Sequence, residues 1–455
     1  MIDFEKFARY SKAGPRYTSY PTANEFHEGF GEKEYREALR REDPAKALSL
    51  YIHLPFCRSA CYFCGCNVIY TSKEDKKERY IGYLKKELAL LKEAMDTHRE
   101  VTQLHFGGGT PTFMDASQLA EILDLLHEAF PRFSDDAELS CEIDPRFFTQ
   151  EQMQALKRGG INRLSFGVQD FNPGVQEAIH RTQSVELVAR AVEMARAHGI
   201  NSINFDLIYG LPYQDFESFA KTLEEVVKLS PDRLAVFNYA HVPWMKKTMR
   251  KIDETTLPSP KEKLKILEHT IGFLQNSGYE TIGMDHFAKR EDELFKAIEK
   301  GELRRNFQGY TTKGKSQTIG IGLTSIGEGS DYYAQNHKEM EAYERALDEG
   351  HLPIHKGILL SEDDRLRKEV IMSLMSNFKL AFAPLNERYG IDFKSYFAEA
   401  LEELKEYEEA GLLELNEEGI AVSPTGTMLI RNIAMPFDAF LKKSPLSERK
   451  FSKTV

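Results

Sequence analysis

The chain has few cysteines. There are five among 455 residues, an odd number, and four of them lie between positions 57 and 66. Such a set does not build a disulfide framework, and a reducing compartment, the cytoplasm, is the expectation. Long apolar runs are also missing, so no stretch approaches the ~20 residues that a membrane-spanning helix needs. The first residues, "MIDFEKFARYSKAGPRY", have no apolar core followed by a small-residue cleavage site, so a secretory signal is not expected. Positive charge is in deficit: 60 Lys and Arg stand against 71 Asp and Glu, a net charge of −11. This disfavours broad attraction to nucleic acid or to an anionic membrane, and it leaves a few local Arg or Lys to hold any anionic substrate. Nothing marks an oligomer interface, and a monomer is the default.

With 41% hydrophobic and 29% charged residues, the composition is that of an ordinary globular protein. Short apolar runs at 48–55, 103–109, 138–144, 163–169, 203–212, 233–240 and 279–287 read as strands. Amphipathic stretches separate them. "SQLAEILDLLHEAF" puts Leu119, Ile122, Leu123 and Leu126 on one face behind Ser117 as N-cap, and "SVELVARAVEMARAHG" opens at Ser184 and stops at Gly199. This β-then-α rhythm predicts an α/β fold, with parallel strands forming a partial (β/α) barrel and functional groups at the strand ends. From about Ser361 the chain turns helical, and "GLLELNEEGIAVSPTG" reads as strand–turn–strand before a helix in "TMLIRNIAMPFDAFL". The predicted division is an N-terminal extension over 1–45 that can act as a substrate lid, a barrel over 46–360, and a smaller, mostly helical, winged-helix-like domain over 361–455. The last is too rich in Glu to read as a DNA-binding module.

The cysteine run "PFCRSACYFCGCN" follows the first strand directly. Zinc usually takes two ligand pairs separated by a longer loop, although a zinc knuckle remains an alternative. A redox dithiol needs only C-x-x-C and leaves two cysteines unexplained. An iron–sulfur cube accepts closely spaced thiolates from one loop, and three cysteines leave its fourth corner open to a non-protein ligand. On the next strand, "HFGGGTPT" places glycines where backbone can approach a ligand without side-chain obstruction.

The C-x3-C-x2-C spacing, with Phe63 before the third cysteine, resembles the signature of the radical S-adenosylmethionine enzymes. The likeness goes further. "GPRYTSYPTANEF", "SLYIHLPFC", "CYFCGCN", "LHFGGGTPT", "EIDPR", "GVQDFN", "DLIYGLP", "FNYAHVP", "GMDHFA", "RNFQGYTT" and "DYYAQN" are similar to motifs of the oxygen-independent coproporphyrinogen III oxidases. They run from about residue 10 to 336, and the helical end is similar too.

That resemblance implies that Cys57, Cys61 and Cys64 bind a [4Fe–4S] cluster with one open iron site, and that Cys66 does not. It implies two S-adenosylmethionine molecules. One would contact Tyr51, Gly108, Glu142 and Ile326. The other would contact Phe63, Gly109, Thr110, Gln169, Arg181, Asp206 and Ala240. The chemistry is reasonable on its own: Glu142 can stabilise a sulfonium, Asp206 can accept from ribose hydroxyls, and Arg181 can hold a carboxylate bidentately. Each also has a plainer reading. Glu142 and Asp206 can be paired rim charges, Gln169 a loop cap and Arg181 a solvated helix end. His53 reads as a packed rim residue and Cys141 as a core thiol.

The implied reaction is oxidative decarboxylation of two propionates of coproporphyrinogen III to vinyl groups by way of a 5′-deoxyadenosyl radical, with no catalytic residue beyond the cluster and the radical cofactor. An electron donor such as flavodoxin or ferredoxin is a family expectation. Arg16, with Lys12, is a candidate partner for substrate carboxylates. Tyr17 and Tyr20 can stack on pyrroles or simply pin the extension to the barrel. His286 and Tyr310 are candidates to face substrate. Three rival readings are a radical haem-opening methyltransferase, a non-catalytic haem carrier and a zinc-stabilised structural protein.

Overall fold

The structure, a computed structural model, describes residues 2–443. The predicted C-terminal domain therefore ends, at 444–455, outside the described residues. One 12-stranded sheet organises the chain. Its strands are β1 (Leu48–Leu54), β2 (Val101–Gly108), β3 (Phe133–Ile143), β4 (Arg163–Gln169), β5 (Ser202–Tyr209), β6 (Arg233–Asn238), β7 (Tyr279–Thr281), β8 (His286–Lys289), β9 (Gln317–Ile321), β10 (Ile326–Glu328), β11 (Tyr332–Asn336) and β12 (Ile354–Leu359). The order across the sheet is β12-β11-β10-β9-β1-β2-β3-β4-β5-β6-β8-β7. From β9 to β6 every neighbouring pair is parallel, whereas both flanks are antiparallel.

The parallel strands have two unlike faces. Leu50, Ile52, Leu104, Phe106, Leu139, Cys141, Leu164, Phe166, Ile203 and Phe205 are buried in the apolar core. Against them pack the apolar stripes of helices such as Ala116–Ala129, Val185–Ala197 and Phe216–Leu229. The alternate positions carry polar groups that bond from strand to strand. Ser49 Oγ donates to Gln103 Oε1 at 2.7 Å, and Ser165 Oγ donates to Asp206 Oδ2 at 3.0 Å. Because side chains alternate along a strand, this register puts Tyr51, His105, Ser140, Glu142, Ser165 and Asp206 on one common face.

Four local expectations are corrected. The run at 279–287 is not one parallel strand. It is the antiparallel hairpin β7–β8, because Gly283 and its neighbours make a turn. The strands β9 to β12 and a parallel pair, Phe56–Cys57 with Ile69–Tyr70, are additional. The helix at 116 is capped by Asp115, not Ser117. The Asp115 carboxylate accepts from Gln118 N at 2.9 Å, and Ser117 Oγ donates to that same carboxylate. "TMLIRNIAMPFDAFL" is broken into Pro424–Met428, Ile430–Ala434, a 3-10 turn at Met435–Phe437 and Ala439–Lys443, since Pro436 lacks the donor a continuous helix needs.

Beyond Ser361, which caps the helix Glu362–Asn377, a three-stranded antiparallel sheet forms from Lys379–Ala381, Gly419–Val422 and Leu413–Leu415. The N-terminal residues dock on the helices around 425–439. Asp3 N donates to Thr425 Oγ1, Tyr17 to Asp438 at 2.9 Å, and Arg431 Nε to Pro15 O at 2.9 Å.

Candidate active site

The cysteine loop is held at the end of β1 on several sides. Ile69 N donates to Pro55 O and Thr71 N to Cys57 O. Tyr62 stacks on His180 with centroids 5.1 Å apart, and Lys246 Nζ donates to Cys66 O at 2.9 Å. The glycine run of β2 locks the loop from beneath. Gly109 N donates to Leu54 O at 2.8 Å and Thr110 N to Phe56 O at 2.9 Å. A Cβ on Gly109 would lie 2.7 Å from Phe56 O, and one on Gly108, whose φ is +119°, 2.9 Å from Leu54 O. These glycines are thus required by the close approach of two backbones. The amides of Gly109 and Thr110 are taken up by these carbonyls.

A cavity of about 290 Å³ opens above. Cys57, Cys61, Phe63, Cys64 and Cys66 line it, together with Gly108, Gly109, Thr110, Glu142, Gln169, Arg181 and Asp206 from the following strand ends. All five cysteines are free thiols. Among the described residues no three His, Cys, Asp or Glu side chains converge closely enough to share one metal ion. Three separated thiols around a cavity fit a group with several metal corners better than a single tetrahedral ion.

The thiols differ in character. Burial pushes Cys57 up to about 12 even though Thr110 Oγ1 lies 3.3 Å away. Hydrogen bonding from Cys66 draws Cys64 down to about 7, and the same interaction raises Cys66. Arg181 faces Cys61: its Nη1 is 3.6 Å from the Cys61 Sγ and 3.4 Å from Asp144 Oδ2, while Nη2 donates to Gly167 O at 2.7 Å. Its Nε is buried without a partner. Burial raises the Asp144 carboxyl, but Arg181 and Arg146 outweigh it and hold the group below its ordinary range. Gln169 has φ 66°, a left-handed conformation that a non-glycine residue rarely keeps without a structural demand.

A second cavity of about 520 Å³ adjoins the first, and Glu142 and Cys66 line both. Tyr51, His53, His105 and Ile326 are in its wall. Glu142 Oε1 lies 3.3 Å from His105 Nε2, and His105 stacks on Tyr51. His53 is buried, 3.0 Å from the Tyr51 hydroxyl, and burial lowers its pKa. Asp206 is pushed up to about 6, first by burial and then by the Glu142 charge.

Other candidates lie elsewhere. Ala240 follows β6 and lines neither cavity. Tyr17 and Tyr20 are buried and pin the extension: Tyr17 donates to Asp438, and the Tyr20 hydroxyl accepts from Ala439 N. Lys12 pairs with Glu406 at 3.9 Å, away from the cavities. The Tyr310 hydroxyl donates to Met375 O, and His286 Nδ1 bonds Asp285 at 2.6 Å. Arg16 lines a third, small cavity. Cys141 is fully buried in β3. Sequence reasoning missed His105, Asp144, Arg146 and Ser165. Their signal was strand alternation, because they share a face with, or directly follow, residues it did select.

Comparison with known proteins decides the family. Residues 51–226 match the radical SAM superfamily, and residues 360–429 match the HemN C-terminal domain. An oxygen-independent coproporphyrinogen III oxidase of Helicobacter pylori (strain J99) is 64% identical, over 100% of this chain and 99% of that protein. The enzyme of the same name from Escherichia coli K12 is 46% identical over 100% and 98%. The chain belongs to the oxygen-independent coproporphyrinogen III oxidases. The solved structure of coproporphyrinogen III oxidase (HemN) from Escherichia coli, a radical SAM enzyme, superposes with a TM-score of 0.92 at 45% identity, over 97% of this chain and 99% of that one. Members of the radical SAM superfamily work with a [4Fe–4S] cluster and S-adenosylmethionine, and the donor set around the first cavity suits both. Full-length kinship with these oxidases does not favour the methyltransferase or the carrier. Among the described residues no helix is long and apolar enough to cross a membrane.

Proposed function

We propose that this oxidase converts two propionates of coproporphyrinogen III to vinyl groups, giving protoporphyrinogen IX in haem biosynthesis. Each propionate loses one hydrogen atom, CO2 and one electron, which passes to a one-electron acceptor. When bound, the cluster and S-adenosylmethionine supply the electron and the 5′-deoxyadenosyl radical that takes the hydrogen. Cys57, Cys61 and Cys64 hold the cluster, and Cys66 does not. The one observation that carries the reading is that these three thiols share a cavity with Gly109, Thr110, Gln169, Arg181 and Asp206.

Two molecules of S-adenosylmethionine are part of the proposal. Its support is the division of the space by Glu142, with Tyr51 and Ile326 on one side and Phe63, Gln169, Arg181 and Asp206 on the other. Glu142 then faces a sulfonium and Asp206 a ribose. The 1–45 extension acts as the substrate lid, with Arg16 toward the substrate and His286 and Tyr310 shaping the wall behind it. The enzyme works as a cytoplasmic monomer reduced by a flavodoxin or ferredoxin.

The test is an anaerobic turnover assay of the reconstituted, reduced protein with S-adenosylmethionine, coproporphyrinogen III and an electron acceptor. Loss of two CO2 per porphyrin, with 5′-deoxyadenosine released, is expected. An intact cluster that gives neither product would overturn the assignment.

A further inference from the structure

Beside the main cavity, and sharing Phe237 with it, is a pocket of about 60 Å³. Three arginines face it from distant parts of the chain. Arg16 comes from the N-terminal extension, Arg305 from the short strand Arg304–Asn306, and Arg431 from the helix Ile430–Ala434. One carboxylate, Asp285, stands among them. In a protein of net charge −11, this spot holds a local surplus of positive charge.

The surplus is not neutralised within the fold. Asp285 Oδ1 accepts from His286 Nδ1 at 2.6 Å, and Arg305 Nη1 is 4.0 Å from that same oxygen. The Arg305 side chain is 6% exposed, and its Nε and Nη1 are buried with no hydrogen-bond partner. Its guanidinium lies over the Tyr310 ring, 4.8 Å from the centroid, which fixes its plane. Arg431 donates from Nε and Nη2 to the carbonyls of Pro15 and Gly14, which are neutral. Burial and the neighbouring Arg16 charge lower the Arg431 pKa to about 10. Leaving a buried cation without a counter-charge costs several kcal/mol. Asp285 is one carboxylate set against three guanidinium groups, so an anion from outside would complete the charge balance.

Size and shape narrow the choice. At about 60 Å³ the pocket is of a size for a small polar group such as a carboxylate, not for a whole tetrapyrrole. Planar guanidinium forks match a carboxylate in two parallel hydrogen bonds. The boundary with the main cavity at Phe237 leaves the rest of a larger molecule lying there.

We propose that Arg305, Arg431 and Arg16 form a carboxylate cradle that takes a propionate of the tetrapyrrole substrate, a carboxylate that anchors the ring and does not react. This rests on the function proposed above. Because Arg431 also grips Gly14 and Pro15, the cradle exists only when the extension is docked, so a bound propionate and a closed lid support each other.

The experiment is a fluorescence titration of the anaerobic holoenzyme with coproporphyrin III and, separately, with its tetramethyl ester. Arg305→Gln is expected to weaken binding of the acid on the order of tenfold, as loss of a charge-assisted bidentate contact does, and to leave the ester unchanged. Arg305→Lys should recover part of the loss, and thermal melting reports whether each variant folds. Arg16→Gln, at an exposed position, should weaken the acid several-fold and decides the matter if Arg305→Gln does not fold. Unchanged affinity for the acid, or equal weakening of acid and ester, would overturn the cradle. So would competition by inorganic phosphate with ester and acid binding alike. Turnover by the wild-type enzyme, assayed in parallel, separates this failure from failure of the decarboxylase reading.

Discussion

The Arg181 guanidinium lies 3.6 Å from the Cys61 sulfur, and it reaches there from a segment far from the cysteine loop in sequence. Hydrogen bonds to cluster sulfurs raise the reduction potential. Arg181→Ala is therefore expected to shift the midpoint of the reconstituted cluster to a more negative value without loss of iron. Redox titration followed by electron paramagnetic resonance measures it, and an unchanged midpoint would remove Arg181 from this role.

The four loop cysteines should separate into two classes. Alanine at Cys57, Cys61 or Cys64 is expected to abolish the cluster absorbance and the release of 5′-deoxyadenosine. Cys66 is exposed, and its backbone amide donates to the Cys64 sulfur, a bond that the Cys66→Ala variant keeps. That variant should retain iron and sulfide. Iron and sulfide analysis of the four proteins is the check.

The raised Asp206 carboxyl makes a prediction about pH. Its folded pKa of about 6 lies above the ordinary 3.8, so between those values the folded protein holds a proton that the unfolded chain has released. Stability from this group is therefore present at low pH and lost as pH rises through about 6. In cluster-free protein, Asp206→Asn should melt higher than wild type at pH 7.5 and match it below about pH 4. A melting difference that does not change across this range would rule the argument out.

The docked extension can be loosened at one atom. Tyr17→Phe removes the bond to the buried Asp438 carboxylate. Leaving such a group short of a partner costs about 1–3 kcal/mol. The variant should melt lower, and trypsin should cleave it faster after Lys12 and Arg16. Equal cleavage rates would show that the hydroxyl does not hold the extension.

Two glycines should respond in opposite directions to the same change. Gly109→Ala places a methyl 2.7 Å from Phe56 O and is expected to displace the cysteine loop and lower iron incorporation. Gly82 lies in the helix Glu74–Ala94 with nothing within 4 Å of a Cβ, so Gly82→Ala should stabilise by roughly 1 kcal/mol. Thermal melts and iron content of both variants test the contrast.

Much of the barrel was readable in the sequence because its signals are local. Ser184 caps Val185–Ala197 as its hydroxyl chemistry requires, and the apolar alternation of Ile203, Phe205 and Leu207 marks β5. The antiparallel flank beyond Gln317 was not readable. Its strands are short and run through "IGIGLTSIGEG", where glycine and turn residues mask any period. At the site, the cysteines announced themselves by spacing, whereas His105 looked like one histidine in a strand until its register beside Tyr51 and Ser140 was known. Of the Arg16, Arg305 and Arg431 cluster only Arg16 was singled out in the sequence, since only folding brings together residues separated by most of the chain.

The grip of Arg431 on Pro15 joins points 416 residues apart. A chain emerging from the ribosome folds its early domains first. The cysteine loop and the strands that cradle it are made long before residue 431 exists, so during synthesis the first residues of the chain stand undocked. Completion of the C-terminal helices ends that interval by drawing the beginning of the chain onto them.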